Sequence, residues 1–235
     1  MWLPADAMDL LGEVRASADR PYVVLKYAQS LDGRIATATG DSKWVSGEPE
    51  RQVSHALRAA CDAVLVGAGT AVRDDPELTV RLVSGASPTR VVLDSTLRLP
   101  PSANVFRPEA ATLVLTTERS DVARRDELRE RGVQVAVVAE DDGKVDLAAA
   151  MRRLRELGME SVLVEGGSRV ITGLLARRLV DRMIVAIAPV VLGSGTEAID
   201  QLDVARVSDG IQLVNRLVVP VGDDVLLAWD VRPAR

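Results

Sequence analysis

The feature that most constrains the fold is a repeated alternation of short apolar runs with segments of helical periodicity. Runs rich in Val, Leu and Ala lie at 22–28, 63–67, 90–94, 112–117, 133–139 and 161–165. Segments with apolar residues at helical spacing lie among them, at 47–60, 120–132, 146–158 and 168–178. Strands with two apolar faces that alternate with helices are typical of a mainly parallel sheet covered by helices. The sequence therefore predicts an α/β fold in three layers.

The C-terminal part of the chain departs from this alternation. The run 182–193 begins as a strand, and "IQLVNRLVVP" and "DVLLAWDV" then follow, joined through "VGDD" at 221–224. Two strands joined by so short a turn form an antiparallel hairpin. The sheet is therefore expected to be mainly parallel with antiparallel C-terminal strands. No internal repeat or low-complexity linker interrupts the chain, and one α/β domain is the simplest interpretation.

Capping residues define several helix ends. Ser46 is a plausible N-cap of the helix 47–60, Ser120 or Asp121 of the next helix, and Asp146 of the third. Gly132 and Gly158 follow the second and third helices and predict their C-terminal ends.

Composition excludes several classes of function. The net charge is −5, with 29 basic and 34 acidic residues, which argues against a general nucleic-acid binder. The longest apolar runs are too short to span a bilayer, and the N-terminus lacks the basic start and apolar core of a secretory signal. We therefore expect a cytoplasmic protein that binds neither nucleic acid nor membrane.

A single histidine and a single cysteine limit the chemistry further. With only His55 and Cys61, no disulfide within the chain and no multi-cysteine zinc site can form, and we expect no metal site. His55 is interpreted as a surface or half-buried helix residue. Cys61 is interpreted as a small buried hydrophobe rather than a nucleophile.

Loops that follow strands are the places to look for a site, because ligands bind at the carboxyl ends of parallel strands. Lys26 interrupts the first apolar strand, where a cation needs a partner or a path to solvent. Gly67 and Gly69 form a G-x-G directly after a strand, a near-miss of the dinucleotide fingerprint that is weak by itself. Thr70 beside them can donate to a phosphate, and Arg73 and Arg81 are candidate phosphate partners.

The stretch "SVLVEGGSRVITG", 161–173, is the most informative of these loops. Gly166 and Gly167 permit positive φ, and Ser168 can begin a helix whose first amides form an anion site. Glu165 would repel a phosphate at that position and suits a cationic or hydrogen-bond-donating ligand. These residues alone leave a ligand site and a plain turn as nearly equal alternatives.

Taken together, the loops resemble the pyrimidine reductases of riboflavin biosynthesis. The resemblance rests on five ordered blocks: "LKYAQSLDGRIATATGDSKW", "VLVGAGTAVRDDPELTVR", "VVLDS", "VLVEGGS" and "IAPVVLG". It implies a dihydrofolate-reductase-like fold for a single reductase domain at 21–235, preceded by an N-terminal extension at 1–20. It also implies reduction of the ribosyl group of 5-amino-6-(5-phosphoribosylamino)uracil to the ribityl form with NADPH.

The resemblance also assigns residues. It implies cofactor contacts at Ala28, Trp44, Thr70, Asp74, Ser95, Gly167, Ser168, Arg169, Val170, Ile171, Thr172 and Gly173. It implies substrate contacts at Ser42, Arg58, Leu78, Arg81 and Glu165. Arg58 and Arg81 can hold a phosphate through bidentate hydrogen bonds. Lys26 and Glu165 are the candidate catalytic residues, with Lys26 as the proton donor or polarising group.

Several alternatives stay open on the sequence. The chain lacks the H-x-E and P-C-x-x-C pattern of the zinc deaminase found in bacterial bifunctional relatives. The substrate could therefore be the deaminated pyrimidine, the 2,5-diamino pyrimidinone or a pterin. A nucleotide-binding regulatory protein without turnover is the non-enzyme alternative. The resemblance suggests a homodimer that acts on a small molecule.

Overall fold

The computed structural model describes residues 4–43 and 45–232. The helices are α1 (Pro4–Leu11), α2 (Glu48–Ala59), α3 (Ala68–Asp74), α4 (Val122–Glu130), α5 (Leu147–Glu156) and α6 (Ser168–Ala176). The strands are β1 (Tyr22–Ser30), β2 (Arg34–Thr37), β3 (Ala63–Gly67), β4 (Thr89–Leu93), β5 (Thr112–Thr116), β6 (Gln134–Val137), β7 (Glu140–Asp141), β8 (Lys144–Val145), β9 (Ser161–Glu165), β10 (Arg182–Ala188), β11 (Gly195–Glu197), β12 (Leu213–Val221) and β13 (Asp224–Val231). Short 3-10 turns lie at Asn104–Phe106 and Val207–Asp209.

Nine of the described strands form one sheet in the order β12-β13-β10-β1-β9-β3-β4-β5-β6. Every pair from β10 to β6 is parallel, whereas β13 pairs antiparallel with both β10 and β12. The predicted mainly parallel sheet with antiparallel C-terminal strands is therefore confirmed. Two small sheets, β2 with β11 and β7 with β8, lie outside it.

Helices cover both faces of the sheet, which gives the predicted three layers. On one face, α1 and α2 pack on β1, β9 and β10 through residues such as Leu10, Leu57 and Leu163. On the other face, α5 and α6 pack on the same sheet through Leu154, Ile171 and their neighbours. Successive strand residues point to opposite faces, and both faces are buried in central strands such as β3 and β9, as the sequence pattern requires.

Most predicted helix ends agree with the structure. Asp121 and Asp146 accept hydrogen bonds from the backbone N–H groups of Arg124 and Ala149 and cap α4 and α5. Ser46 as the cap of α2 is wrong. Gly47 holds that position, and the Ser46 hydroxyl instead donates to Glu50 at 2.7 Å.

The N-terminal residues that the structure describes are part of the core. Leu10 and Leu11 are fully buried against β1 and β10. The Leu11 carbonyl accepts from the Tyr22 hydroxyl at 3.2 Å, and the Leu10 carbonyl accepts from Arg182 Nε at 2.8 Å. These contacts fasten α1 to the sheet, while the division at residue 20 stays a prediction.

Cys61 lies at the end of α2, buried among apolar residues. Burial raises the pKa of its thiol to about 12, so the reactive thiolate is absent near neutral pH. The prediction of a small buried hydrophobe is confirmed. Within the described ranges, no helix has both the length and the apolar character needed to cross a membrane.

Candidate active site

The carboxyl ends of β9 and β3, with the middle of β1 beside them, form the floor of the candidate site. Lys26 on β1 is the register partner of Glu165, the last residue of β9. β9 in turn pairs with β3, which ends at Gly67. Parallel topology therefore places three of the loops flagged in the sequence at one edge of the sheet.

Lys26 is buried, and its ammonium group has two partners on the α2 face of the sheet. Its Nζ lies 2.6 Å from Glu50 Oε1 and donates to the Ser54 hydroxyl at 2.6 Å. Ser54 and Ser46 donate to the two oxygens of the same Glu50 carboxylate, at 3.1 and 2.7 Å. The partner that a lysine in an apolar strand requires is thus supplied by α2.

Glu165 forms the second ion pair of this face. Arg58 Nε and Nη2 donate to its two carboxylate oxygens at 2.7 and 2.6 Å, which is a bidentate pair. Arg58 Nη1 also donates to the Thr79 carbonyl at 3.0 Å. Glu50, Ser54 and Arg58 are spaced four residues apart, so α2 turns one polar stripe toward Lys26 and Glu165.

Both buried carboxylates are held in the charged form. Burial acts to raise the pKa of Glu165, but the Arg58 guanidinium outweighs it and the pKa lies below the ordinary value. The pKa of Glu50 is likewise lowered, because Lys26 and two hydroxyl donors outweigh its burial. Glu165 is therefore a hydrogen-bond acceptor at neutral pH and not a proton donor.

His55 lies next to this stripe and plays a structural part. It is 6% exposed, and its Nδ1 accepts from the Arg81 backbone N–H at 2.9 Å. The helix position is as predicted, but the side chain is buried rather than half-exposed. Burial, together with the nearby Arg58 and Arg81 charges, lowers its pKa to about 4.

This histidine makes folding stability depend on pH. The unfolded chain binds a proton near pH 6.5 and the folded chain only near pH 4, so stability falls as the pH drops through this window. One proton corresponds to a slope approaching about 1.4 kcal/mol per pH unit. His55 is the only histidine, and comparison with a variant that lacks it separates its contribution from that of the carboxylates in urea unfolding between pH 7 and about 5. We expect His55→Asn, whose amide oxygen can accept from Arg81, to flatten this slope; equal slopes in both proteins would contradict the assignment.

The opposite side of the Glu165 corner is a glycine-lined cradle. Gly166 and Gly167 have φ of +81° and +82°, which favours glycine. A Cβ on Gly167 would lie 2.8 Å from Thr70 Oγ1, and one on Gly67 would lie 2.8 Å from Val170 Cγ2. The starts of α3 and α6 therefore approach each other more closely than side chains would permit.

This cradle fits a phosphate-bearing cofactor. A Cβ on Gly166 would meet no atom within 4 Å, so the backbone there is open to a ligand. The N–H groups of Ser168 and Arg169 precede the first hydrogen bond of α6, which Val170 donates to the Gly167 carbonyl, and they lie at the positive end of the helix dipole. Thr70 brings a hydroxyl to the same place. Glu165 points to the α2 face and so lies away from these amides.

The other residues predicted to contact the cofactor differ in burial and in their contacts. Asp74 lies one helical turn after Thr70, and Ser95 follows β4 with its hydroxyl accepting from the Val145 N–H at 3.0 Å. Ile171 is buried in the core, Thr172 accepts from the Asp200 N–H, and Gly173 packs against Leu147. The remaining members are Ala28, half-buried on β1, Ser168 and Val170, half-buried in α6, and Arg169, exposed in α6. Trp44 lies outside the described residues.

Two of the other predicted substrate residues, Leu78 and Arg81, lie on either side of Thr79, whose carbonyl accepts from Arg58. Leu78 is buried with φ +55°, so its side chain belongs to the core and only its backbone faces the loop. Arg81 is half-exposed and contacts Glu77 and the Thr79 hydroxyl. Ser42 is half-buried in the loop before α2.

The amino-acid sequence and the fold are similar to those of known proteins. Residues 21–227 match the family described as RibD C-terminal domain. The chain belongs to this family. It is 38% identical over 211 residues to the riboflavin biosynthesis protein RibD of Aquifex aeolicus, covering 89% of this chain and 57% of that protein.

Two further relatives extend the comparison. A Methanothermobacter thermautotrophicus protein named 2,5-diamino-6-ribosylamino-4(3H)-pyrimidinone 5′-phosphate reductase is 39% identical over 219 residues, 91% of this chain and 99% of that one. A solved RibD structure from Acinetobacter baumannii is 31% identical with a TM-score of 0.80, and covers 92% of this chain and 60% of that one. The predicted membership in the riboflavin-pathway reductase family is confirmed. The chain spans somewhat more than half of its RibD relatives' length.

Sequence reasoning missed Glu50 and Ser54 as parts of the RibD-type site. Both lie on the polar side of an amphipathic helix, where a charged residue ordinarily faces solvent. Two features of the sequence could have indicated them. Glu50, Ser54 and Arg58 are spaced four residues apart, and Lys26 in the apolar run 22–28 needs a partner.

Proposed function

We propose that this protein reduces the ribosyl group of 5-amino-6-(5-phosphoribosylamino)uracil to the ribityl form with NADPH. One observation carries the proposal: a cradle for cofactor phosphates and a buried polar cluster lie on the two sides of a single corner, Glu165–Gly167. A ligand in the cradle and a ligand against Glu165 would meet at the carboxyl ends of β1 and β9. Hydride transfer requires this proximity.

The α6 corner holds the cofactor in this proposal. The first amides of α6 and the Thr70 hydroxyl donate to its phosphates, and the glycines let these oxygens approach the backbone. When bound, NADPH supplies the hydride that reduces C1′ of the opened sugar. The family resemblance supports NADPH rather than NADH.

Glu165 and the two arginines bind the substrate. The carboxylate of Glu165 accepts from hydroxyl or amine groups, while Arg58 keeps it charged and fixed. Three donor nitrogens of Arg58 already have partners, so the half-exposed Arg81 is the better anchor for the 5′-phosphate.

Lys26 is the group placed to give a proton. Reduction of the opened sugar adds a hydride at carbon and a proton at the attached heteroatom, and the Nζ of Lys26 carries that proton near the Glu165 corner. Glu50 and Ser54 hold the ammonium in one position. Polarisation of the reacting bond and delivery of the proton both require this fixed geometry.

The 2,5-diamino pyrimidinone phosphate is a second candidate substrate. It is favoured by the match to the Methanothermobacter reductase, which extends over 99% of that protein. The two substrates differ only on the pyrimidine ring and present the same sugar and phosphate to the site.

A homodimer in the cytoplasm completes the proposal. The outer strand β12 leaves one sheet edge unpaired among the described residues, with Leu213 and Val218 exposed. An exposed edge of this kind is a common place for chains to associate. The family resemblance supports both the assembly and the location.

The deciding experiment is a substrate screen with purified protein. NADPH oxidation is followed with the aminouracil phosphate, the diamino pyrimidinone phosphate and dihydrofolate, and NADPH binding is measured separately by calorimetry. We expect turnover with at least one of the two pyrimidines. Turnover with dihydrofolate alone would replace the proposal by a pterin reductase. Tight NADPH binding without any turnover would favour the regulatory alternative.

A further inference from the structure

The segment that carries Arg81 has no regular secondary structure of its own. Residues 75–88, between α3 and β4, form neither helix nor strand. The segment lies against α2, so closely that a Cβ on Gly85 would be 2.6 Å from the Cβ of Ala59. The Arg81 side chain is 47% exposed, so burial does not hold it in place. Contacts with α2 therefore decide where the Arg81 guanidinium stands.

Two residues of α2 hold this segment on the two sides of Val80. Arg58 Nη1 donates to the Thr79 carbonyl at 3.0 Å, and His55 Nδ1 accepts from the Arg81 N–H at 2.9 Å. Because they are three residues apart, His55 and Arg58 lie on the same side of the helix. One takes an N–H of the segment and the other a carbonyl, which defines both the position and the direction of its backbone.

The contact with Arg81 also fixes the state of the His55 ring. A nitrogen that accepts a hydrogen bond carries no hydrogen, so the neutral imidazole has its hydrogen on Nε2. Burial, together with the Arg58 and Arg81 charges, lowers the pKa of His55 to about 4, and the ring is therefore neutral near pH 7. The Leu82 N–H also approaches Nδ1, at 3.5 Å. Only the Nε2–H tautomer can hold the segment in this way.

Arg58 connects the same segment to Glu165. Its Nε and Nη2 donate to the two oxygens of Glu165 at 2.7 and 2.6 Å, while its Nη1 holds Thr79. The arginine proposed to anchor the phosphate and the carboxylate proposed to bind the rest of the substrate are thus fastened to one helix. A ligand that contacts both gains full affinity only where their separation matches its own length.

We propose that His55 is a positioning residue for the substrate: its contact with the Arg81 N–H holds the Arg81 guanidinium at the distance from Glu165 that a ribosyl phosphate spans. This role rests on the proposed function for the assignment of Arg81 to the 5′-phosphate. His55 acts through the backbone of residues 79–82. Without the contact, Arg81 keeps its charge but loses its fixed place, so the phosphate contributes less to binding.

The test measures what the phosphate contributes to binding, and it needs no turnover. Calorimetry without cofactor compares 5-amino-6-(5-phosphoribosylamino)uracil with the same compound lacking its phosphate. His55→Leu removes the acceptor and keeps a buried apolar side chain. We expect it to weaken the phosphorylated compound about 10-fold and the other less than about 2-fold. His55→Asn, whose amide oxygen can accept from Arg81, should recover most of this loss.

Two further variants separate positioning from a loss of stability. Val53→Ala creates a cavity in the same helix, where Val53 is fully buried beside Leu57 in the core. It should lower the unfolding temperature and leave both affinities unchanged. Adding His55→Leu to Arg81→Gln should cost less than about 2-fold beyond Arg81→Gln alone, because both changes remove the same phosphate contact.

Several results would overturn the inference. Equal affinity of the intact protein for the two compounds would remove the phosphate anchor, and equal losses for both in His55→Leu would give His55 a general structural role. Nitrogen-15 NMR of the single histidine should show the Nε2–H tautomer near neutral pH, and the Nδ1–H tautomer would exclude the contact. Absent turnover beside an intact phosphate preference that His55→Leu abolishes would count against the proposed reduction alone.

Discussion

Glu165→Gln is expected to lower kcat/KM for the pyrimidine substrate by about 100-fold or more while NADPH affinity changes less than about 3-fold. The glutamine keeps the shape of the side chain and loses its charge. A neutral amide is a weaker acceptor for substrate hydroxyl or amine groups than a carboxylate, and its NH₂ group would face the Arg58 guanidinium. NADPH affinity is spared because the α6 amides and Thr70 lie on the other side of the corner.

Glu165→Gln is also expected to lower folding stability, and this loss must be distinguished from the loss of kcat/KM. Arg58 would lose its ion-pair partner, although its side chain is only 12% exposed. Removing one partner of a buried ion pair costs about 3–5 kcal/mol of folding stability. Thermal unfolding and NADPH binding therefore accompany the kinetic measurement, so that only folded, cofactor-competent protein is compared.

The matched control is Glu160→Gln, at the opposite end of β9. Glu160 is exposed and pairs with Arg155, so its substitution should change neither kcat/KM nor the unfolding temperature measurably. If Glu165→Gln lost cofactor affinity and substrate use to the same degree, the substrate role of Glu165 would have to be abandoned.

Sequence patterns predicted the sheet well because burial on two faces leaves a direct trace in composition. The strands β3 and β9 end where the apolar runs end, and the C-terminal hairpin follows from its short turn. Helix α3 was missed. It has only seven residues and contains Gly69, so neither its length nor its composition marks it as a helix.

The sequence predicted which loops form the candidate site but not which side chains contact each other within it. Lys26 was conspicuous because an apolar strand cannot hold an unpaired cation, yet nothing local shows that its partner is Glu50 on α2. Arg58 and Glu165 were both expected to touch substrate, and their mutual ion pair depends on β9 and α2 being adjacent. Long-range pairing of this kind is set by sheet order, which periodicity does not specify.

Gly167→Ala is expected to abolish most NADPH binding, with an affinity loss of about 30-fold or more. The added Cβ would lie 2.8 Å from Thr70 Oγ1, so the Thr70 hydroxyl must turn away or α6 and α3 must move apart. Either movement displaces the Thr70 hydroxyl from the first amides of α6. Cofactor phosphates require both sets of donors in register, and a small misplacement is costly.

Gly158→Ala separates this clash from backbone strain. Gly158 has φ of +85°, close to the +82° of Gly167, but its Cβ would meet no atom within 4 Å. It follows α5, away from the corner at Glu165. Both variants should lose stability from the positive φ, measured by urea unfolding: about 1–2 kcal/mol for Gly158→Ala, and more for Gly167→Ala, because the ψ of +106° at Gly167 lies outside the left-handed helical region. Only Gly167→Ala should lose NADPH affinity by calorimetry, because only there does the methyl group enter the space between the two helices. Comparable affinity losses in both variants would mean that strain, and not the cradle, controls cofactor binding.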